Sequence, residues 1–240
     1  MAKKRSGRRK AKPRKKSLVR DYLEVILIAV VLVFVLRTFL VQAFRIPSSS
    51  MEDTLLVGDF LLANKFIFGA KVPFTEWRLP AFREPEPGDI VIFQHPDDPS
   101  RDFIKRCIAG PGQTVEVRKV PYVNGERAVD PPLSKYLAKG APLPKGHRNG
   151  KRDNFGPIVV PPGHFFMMGD NRDNSEDSRY WGLLPYKFIR GKAFIIYGSW
   201  APDADAPEYE GLFSIPKILF YNILHFPSRV RWKRIGRVVN

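Results

Sequence analysis

The sequence predicts a mainly β protein, in which an antiparallel β domain is preceded by one N-terminal transmembrane helix. Two observations predict this architecture. An apolar segment near the N-terminus is about long enough to cross a bilayer. After it, short strand-like runs recur between glycines and prolines, of which this chain of 240 residues has 18 and 22. We therefore expect a basic tail over residues 1–20, a transmembrane helix over 21–44 and a β domain over 45–240.

The N-terminal tail is strongly basic. Residues 1–20 hold 11 Lys or Arg and no acidic residue, so they supply most of the net charge of +16. Such a run could bind nucleic-acid phosphates, but Lys and Arg beside a spanning segment also keep that end of the chain in the cytoplasm. Because an apolar segment follows directly, we favour a cytoplasmic tail and expect no nucleic-acid partner.

The predicted transmembrane helix rests on an apolar run that begins near Val25. It continues for 20 residues to Phe44, interrupted by Arg37, which can reach the headgroups. At about 1.5 Å per residue, 20 residues just cross a hydrocarbon core of about 30 Å. A cleaved signal peptide ending near residues 41–43 is the alternative. The length of the run favours an uncleaved single-pass anchor, with everything after Phe44 outside the cytoplasm.

The β domain is predicted from strand-like runs separated by turn residues. These runs are Phe60–Phe66, Asp89–Gln94, Asp102–Ile108, Thr114–Val120, Ile158–Val160, Phe165–Met168 and Lys192–Tyr197. Asn124-Gly125 predicts a hairpin turn, and residues 131–157 are predicted to form a long loop or small subdomain within an insertion over about 121–157. Two short segments, 185–189 and 218–224, indicate helices. Residues 212–226 could contact lipid or pack on the core.

Three serines, Ser48, Ser49 and Ser50, follow the apolar segment so closely that they must lie near the membrane surface. Serine is a weak nucleophile unless a base activates it. The four histidines are scattered singly and no Gly-x-Ser-x-Gly motif is present, so nothing supports a Ser–His–Asp triad. A Ser–Lys pair remains the plausible arrangement.

Two polar segments could carry the rest of the chemistry. In Asp102–Ile108 the alternation places Phe103, Lys105 and Cys107 on one strand face. A lysine buried there would have a pKa below about 10.4 and could act as a base, although this segment alone favours ordinary surface charges. Gly169–Gly182 packs carboxylates, amides, hydroxyls and guanidiniums into one loop. Counted from Asp170, the sixth position is Ser175 rather than the glycine of a calcium loop, so internal Asp–Arg pairs are favoured.

No metal or cofactor is expected, because no metal-ligand spacing occurs. The single cysteine, Cys107, excludes an intramolecular disulfide within this chain.

The order of these motifs resembles bacterial type I signal peptidase, the membrane-anchored Ser–Lys endopeptidase that removes signal peptides from exported preproteins. The motifs are Pro47–Met51, Gly58-Asp59-Phe60, Lys105-Arg106, Gly169–Gly182 and the closing Arg229–Gly236, which is similar to the family's terminal strand. The resemblance implies an antiparallel β fold and substrates with small residues at the first and third positions before the cut. It also implies contact with membrane lipid, a functional link to the export machinery and a place in the cytoplasmic (inner) membrane.

The resemblance also implies residue roles. Ser50 would be the nucleophile and Lys105 the general base. The hydroxyl of Ser48 and the backbone N–H of Ser50 would form the oxyanion hole. Ser175 would orient the Lys105 amine, and Asp177 and Arg179 would hold the loop in register.

One position departs from the family pattern, which usually has proline where this chain has Asp53. Two other functions stay open. The chain could be a Ser–Lys protease dedicated to one exported substrate, or a non-catalytic membrane-anchored binding module that kept the β fold.

Overall fold

The described chain begins with a long apolar helix, α1, over Leu18–Val35, in a computed structural model that describes residues 18–75, 77–137, 150–209 and 211–239. The next five residues, Leu36–Leu40, continue α1 as a wider π-helical turn. Val19–Leu40 is long and apolar enough to cross a membrane, and its most apolar stretch is not buried against the protein. Its 22 residues span about 33 Å. Of the predicted basic tail, residues 1–17 lie outside the described residues, and 18–20 belong to α1.

The predicted end of the transmembrane helix at Phe44 is wrong by four residues. Val41–Phe44 belong to strand β1, Val41–Arg45, which pairs antiparallel with the strand that begins at Asp59. Burial alternates along β1, as expected of a strand with one face toward protein. The sheet supplies the backbone hydrogen bonds that a longer helix would otherwise have made, so the chain leaves the helix directly into the β domain.

Eleven strands lie in the described residues. After β1 they are β2 Asp59–Asn64, β3 Ile90–Gln94, β4 Asp102–Ala109, β5 Thr114–Arg118, β6 Val120–Val123, β7 Glu126–Arg127, β8 Asn154–Val159, β9 His164–Met168, β10 Leu184–Pro185 and β11 Ile189–Ser199. Seven of them form one sheet in the order β1-β2-β11-β3-β4-β9-β10, and every pairing in it is antiparallel. The predicted mainly β, antiparallel fold class with one N-terminal spanning helix is confirmed.

The other four strands form a small sheet in the order β7-β6-β5-β8. The predicted single strand over 114–120 is split into β5 and β6, because Lys119 has a φ of 63° and reverses the chain. The predicted hairpin turn at Asn124-Gly125 is confirmed by positive φ at both residues. Part of the insertion predicted over 121–157 thus belongs to this small sheet; residues 138–149 lie outside the described residues, and 154–157 belong to β8 rather than to a loop.

The remaining predictions concern helices and the C-terminal segment. Besides α1, the helices are α2 Gly150–Asp153, α3 Ser178–Trp181 and α4 Ile215–Arg229, so the helix predicted over 218–224 is longer than expected. The helix predicted over 185–189 is only a 3₁₀ turn, Tyr186–Phe188. The terminal strand expected at Arg229–Gly236 is wrong, because a 3₁₀ turn at Trp232–Arg234 leaves only single bridges, from Val230 to Trp200 and from Val238 to Ile195.

Strand β4 occupies the middle of the hydrophobic core. It lies between β3 and β9, and its side chains enter three clusters of buried residues: Ile104 the first, Cys107 the second, and Ile108 with Ala109 the third. From Ile104 onward, a polar side chain on β4 is therefore buried in protein rather than exposed to water. This position controls the chemistry of Lys105, which is on the same strand.

Candidate active site

Lys105 is a buried lysine on the central strand β4. It is 3% exposed. Burial lowers the pKa of its amine to about 8, although the carboxylates of Asp177 and Glu176 act in the opposite direction. The amine is therefore partly neutral at pH 7 to 8 and can accept a proton.

Ser50 lies in the turn that follows β1, and its position is set by its neighbours in the sequence. Met51 and Leu55 are fully buried and pack in the same cluster as Ile104 of β4. These two anchors bring the Ser50 side chain to the Lys105 side chain. The amine Nζ of Lys105 donates a hydrogen bond of 2.6 Å to Oγ of Ser50, and Ser50 is 7% exposed. The structure thus brings the predicted nucleophile and base into direct contact, 55 residues apart in the chain.

Ser48 lies at the open side of this pair. Its Oγ is 3.5 Å from Oγ of Ser50, and Ser48 itself is exposed. Within the described residues the backbone N–H of Ser50 donates to no other backbone group. The N–H and the Ser48 hydroxyl are therefore both available to an oxygen atom bound in front of Ser50.

A cleft of about 440 Å³ opens in front of the pair. One wall is the serine segment Pro47–Ser50, and the other is the start of β4, Arg101–Lys105. Strand β9 pairs with β4 only from Arg106 onward, so it does not cover this part of β4. The cleft can accept an extended peptide beside Ser50.

The loop Gly169–Gly182 lies against the turn that carries Ser50. The backbone N–H of Asn171 donates to the carbonyl of Ser50 at 3.1 Å, and its side-chain amide donates to the carbonyl of Ser49 at 3.1 Å. A Cβ on Gly169 would lie only 2.4 Å from the Ser50 carbonyl and 2.3 Å from the Ser175 hydroxyl. Only glycine allows this close approach.

Asp177 and Arg179 hold the loop from inside. The guanidinium of Arg179 binds the carboxylate of Asp177 with two hydrogen bonds of 2.8 Å, and both residues are buried. Asp177 also accepts the backbone N–H of Gly169 at 3.1 Å, and Arg179 donates to the carbonyl of Arg172 at 2.6 Å. The pair thus joins the two ends of the loop, and the role in holding the loop in register that the family resemblance implies stays a prediction.

Ser175 does not make the contact expected of it. Its hydroxyl is buried, yet it has no hydrogen-bond partner among the described residues, so the predicted bond to the Lys105 amine is not formed. The Lys105 amine instead donates to Ser50, while the Ser175 side chain packs against Gly169. An orienting role for Ser175 stays a prediction.

Arg106 and Asp170 also position the site, and the sequence assigned them no role. Arg106 follows Lys105 on β4 and forms a bidentate pair with Asp170, with N–O distances of 2.9 and 2.8 Å. Asp170 also accepts the hydroxyl of Thr54 at 2.6 Å. One buried carboxylate therefore connects β4, the loop and the Ser50 turn. Lys105-Arg106 and Gly169-Asp170 are motifs that the sequence shows. The sequence does not show that Arg106 and Asp170 contact each other.

The motif Gly58-Asp59-Phe60 holds the far end of the same turn. Burial alone would raise the pKa of Asp59, but hydrogen bonds from Arg234 and Ser199 lower it below its usual value. Arg234 also donates to the carbonyl of Thr54 at 3.0 Å. The closing segment of the chain, although it is not a strand, therefore supports the Ser50 turn.

Lys135 supports this turn from the insertion. Its amine lies 3.0 Å from Glu52 and 3.1 Å from Asp53, and these hydrogen bonds raise its pKa. Its backbone N–H donates to the carbonyl of Asp170 at 2.9 Å. Asp53 has a φ of 73°, which proline cannot adopt because its ring fixes φ near about −65°.

Two other side chains with catalytic potential, those of His95 and Cys107, do not line the cleft in front of Ser50. His95 is buried between the rings of Phe103 and Trp181. Burial raises the pKa of the Cys107 thiol, which keeps it neutral and unreactive. No group of metal-binding side chains occurs within the described part of the chain.

Residues 19–200 match the model of a family described as signal peptidase, peptidase S26. The match covers most of the chain and includes Ser50, Lys105 and the loop 169–182. The chain belongs to the signal peptidase S26 family. Membership agrees with the antiparallel β fold and the N-terminal spanning helix described above, and with a membrane-anchored protein.

Individual relatives carry the name signal peptidase I. The protein from Pseudomonas aeruginosa is 38% identical over 194 residues, which is 68% of this chain and 66% of the relative. The protein from Aquifex aeolicus is 33% identical over 243 residues, which is 79% of this chain and 88% of the relative. The chain thus spans just under two thirds of the length of the Pseudomonas relative. A crystal structure of signal peptidase I from Enterococcus faecalis is 26% identical, with a TM-score of 0.36, and covers 46% of this chain and 97% of that one.

Proposed function

We propose that this protein is a membrane-bound serine endopeptidase that cleaves N-terminal signal peptides from exported preproteins with a Ser50–Lys105 dyad. The observation that carries the proposal is the 2.6 Å hydrogen bond between a buried lysine amine and a serine hydroxyl. Membership of the signal peptidase S26 family supports the reaction and the substrate class.

In the acylation step, Oγ of Ser50 attacks the scissile carbonyl carbon while the neutral Lys105 amine takes its proton. The tetrahedral intermediate collapses, the new N-terminus of the mature protein leaves as an amine, and Lys105 returns the proton to it. A water molecule then gives a proton to Lys105 and attacks the carbonyl carbon of the acyl-enzyme. Lys105 returns that proton to Oγ of Ser50 as the ester bond breaks, which releases the signal peptide and restores the free enzyme. The pKa of about 8 suits the amine for both directions of this transfer near neutral pH.

The negative charge of the intermediate falls on the former carbonyl oxygen. We assign its stabilisation to the backbone N–H of Ser50 and the hydroxyl of Ser48, which are both available on the open side of Ser50. Removing one donor of this kind costs about 3 kcal/mol of transition-state stabilisation. Asp177, Arg179, Arg106 and Asp170 act indirectly, since they hold the loop, β4 and the Ser50 turn together. Ser175, next to Gly169, is proposed to orient the amine once substrate excludes water.

The proposed location of the protein in the cell follows from the helix α1. We propose a single pass through the cytoplasmic (inner) membrane, with the basic tail inside and the β domain outside. Because the chain passes from helix to strand after Leu40, Ser50 is only ten residues from the end of the span. A signal peptide leaving the export machinery would present its cleavage site at the same surface. Its small residues at the first and third positions before the cut would face the cleft along β4.

Two variants test the dyad in the full-length protein in detergent. We expect Ser50→Ala and Lys105→Met each to abolish cleavage of a preprotein, with unchanged circular dichroism and no loss of thermal stability. The control Lys151→Met removes an exposed amine outside the site and should cleave normally. Normal cleavage by either dyad variant would exclude the proposed mechanism.

A second measurement separates this function from the alternatives. Mass spectrometry after treatment with an acylating inhibitor should place the label on Ser50, and no labelling would favour a non-catalytic binding module. Cleavage of several unrelated signal peptides is expected of a general peptidase. Cleavage of only one of them would indicate a protease dedicated to a single substrate.

A further inference from the structure

A second cleft, of about 1050 Å³, lies between α1 and the β domain, and it contains none of the residues assigned to catalysis. One wall is apolar and comes from α1, where Val30, Val33 and Phe34 line the cavity. The opposite wall comes from the β domain and is cationic, with Lys65 and Arg190 among its residues. The cleft is therefore amphipathic across its width.

Several cationic side chains line the cleft. Besides Lys65 and Arg190, the cations that line the cleft are Arg37, Lys71, Arg78 and Lys187. No Asp or Glu is among the described residues that line it. Burial, and then the charges of Arg190 and Arg78, lower the pKa of Lys65. The ammonium group of Lys65 is thus held partly out of water beside like charges, which costs free energy.

The protein neutralises this wall only in part. Arg78 donates to the carbonyls of Gly69 and Lys187 at 2.9 Å each, which satisfies its N–H groups but does not cancel its charge. Arg190 approaches Asp102 at 3.6 Å, too far for a hydrogen bond, and its buried Nε has no hydrogen-bond partner among the described residues. An anion placed between Lys65 and Arg190 would remove the repulsion.

The apolar wall restricts the kind of anion. Val30, Val33 and Phe34 lie within the segment Val19–Leu40 that can span the bilayer, and Arg37 lies in its last turn. The charged wall therefore stands near the expected headgroup level, and the apolar wall near the acyl chains. A free phosphate would fit only the charged wall, and a neutral lipid only the apolar wall. A molecule with both parts fits the whole cleft.

We propose that this cleft binds one anionic phospholipid, with its phosphate between Lys65 and Arg190 and its acyl chains along Val30, Val33 and Phe34. The lipid would connect α1 to the β domain and so keep the domain at a constant height on the membrane. The proposal requires α1 to lie in the bilayer, but it does not depend on peptidase activity.

Native mass spectrometry of the full-length Ser50→Ala protein in detergent tests the site without any contribution from catalysis. Phosphatidylglycerol and phosphatidylcholine with identical acyl chains are added at equal concentrations, and inorganic phosphate is added in a third arm. We expect one phosphatidylglycerol molecule to bind about tenfold more tightly than phosphatidylcholine. Equal binding of the two lipids would overturn the proposal.

Matched variants locate the binding. The double variant Lys65→Gln/Arg190→Gln should lose the preference for phosphatidylglycerol, while Arg118→Gln/Lys151→Gln, which removes two exposed cations elsewhere, should keep it. The single variants Lys65→Gln and Arg190→Gln serve the same comparison if the double variant does not fold, and each should weaken the preference. A preference that survives in all three cleft variants would overturn the site. Displacement of the lipid by inorganic phosphate at an equal concentration would assign the cleft to free phosphate instead.

Discussion

The chemistry of Lys105 depends on where one amine lies. Strand β4 carries it between β3 and β9, where Val91 is its cross-strand neighbour on one side. The loss of water favours the neutral amine, whereas the carboxylates of Asp177 and Glu176 favour the charged one. The first effect is larger, so the pKa falls from 10.5 to about 8. A lysine on the protein surface would remain protonated and could not accept the Ser50 proton.

The pH dependence of cleavage follows from this pKa. Below pH 8 the Lys105 amine becomes protonated and the rate should fall about tenfold per pH unit, whereas above pH 8 it should level off. The measurement is kcat/KM of the full-length protein between pH 5.5 and 9.5 with one signal-peptide substrate, the pH range being chosen to bracket about pH 8. A rate that stayed constant down to the lower limit would contradict a lysine base.

At the scale of elements, three separate segments meet at the turn that carries Ser50. The loop after β9 binds its start, Lys135 of the insertion binds its middle, and Arg234 of the closing segment binds its end. Each contact joins residues that are far apart in the chain. The turn is therefore positioned by the folded domain rather than by its own sequence.

The buried pair Arg106–Asp170 is expected to be needed because it connects β4 to the loop. Asp170→Ala leaves the buried Arg106 charge without its partner, which should lower the free energy of unfolding by about 3 kcal/mol and also lower kcat. The double variant Arg106→Met/Asp170→Leu removes both charges and should be less destabilised than the single one. Urea denaturation measures both; an unchanged stability of Asp170→Ala would show that the pair does not hold the loop.

The backbone conformation at Asp53 predicts that this chain does not tolerate the proline that is usual in the family at this position. Asp53→Pro restores the residue usual in the family, but the φ of 73° excludes proline from the conformation found here. We expect the variant to lose about 2 kcal/mol of stability and most of its activity. Asp53→Gly accepts a positive φ and loses only the partly exposed contact to Lys135, so it serves as the control. Wild-type stability of Asp53→Pro in thermal denaturation would mean that the turn adopts another conformation.

At the scale of the whole molecule, α1 separates the basic tail from the active site. The segment Val19–Leu40 is about 33 Å long, several times the screening length of about 8 Å at physiological salt. The charges of the tail therefore have little electrostatic effect on Lys105. Their proposed role is to keep the N-terminus on the cytoplasmic side.

Deleting residues 2–16 should accordingly leave catalysis in detergent unchanged while it changes orientation in membranes. Cleavage of a preprotein by the purified variant measures the first, and protease accessibility of the β domain in spheroplasts measures the second. A large loss of cleavage by the purified variant would contradict the separation of tail and site. A nucleic-acid role for the tail would instead appear as salt-dependent binding of DNA that the deletion removes.

Much of the fold was predictable because short-range patterns in the sequence determine it. Apolar length predicts α1, alternation and turn residues predict most of the strands, and Asn124-Gly125 predicts its hairpin. The end of α1 and the division at Lys119 were not predictable, because β-prone residues such as Val41 suit either the helix or the sheet. The pairing of β1 with β2 decides between them, and that pairing involves residues some twenty positions later.

The candidate dyad was predictable only through the family resemblance of its motifs. The segment around Lys105 is equally compatible with an exposed edge strand, and burial of its amine depends on β3, whose Val91 pairs with Lys105, and on the turn that carries Ser50. The sheet order places β11 between β2 and β3, and no short-range pattern encodes that order. Local propensity acts within a few residues, so residue types and spacing establish which groups are present. Long-range packing then establishes the contacts that make Lys105 a base, bring Ser50 to it and leave the Ser175 hydroxyl without a hydrogen-bond partner among the residues that the structure describes.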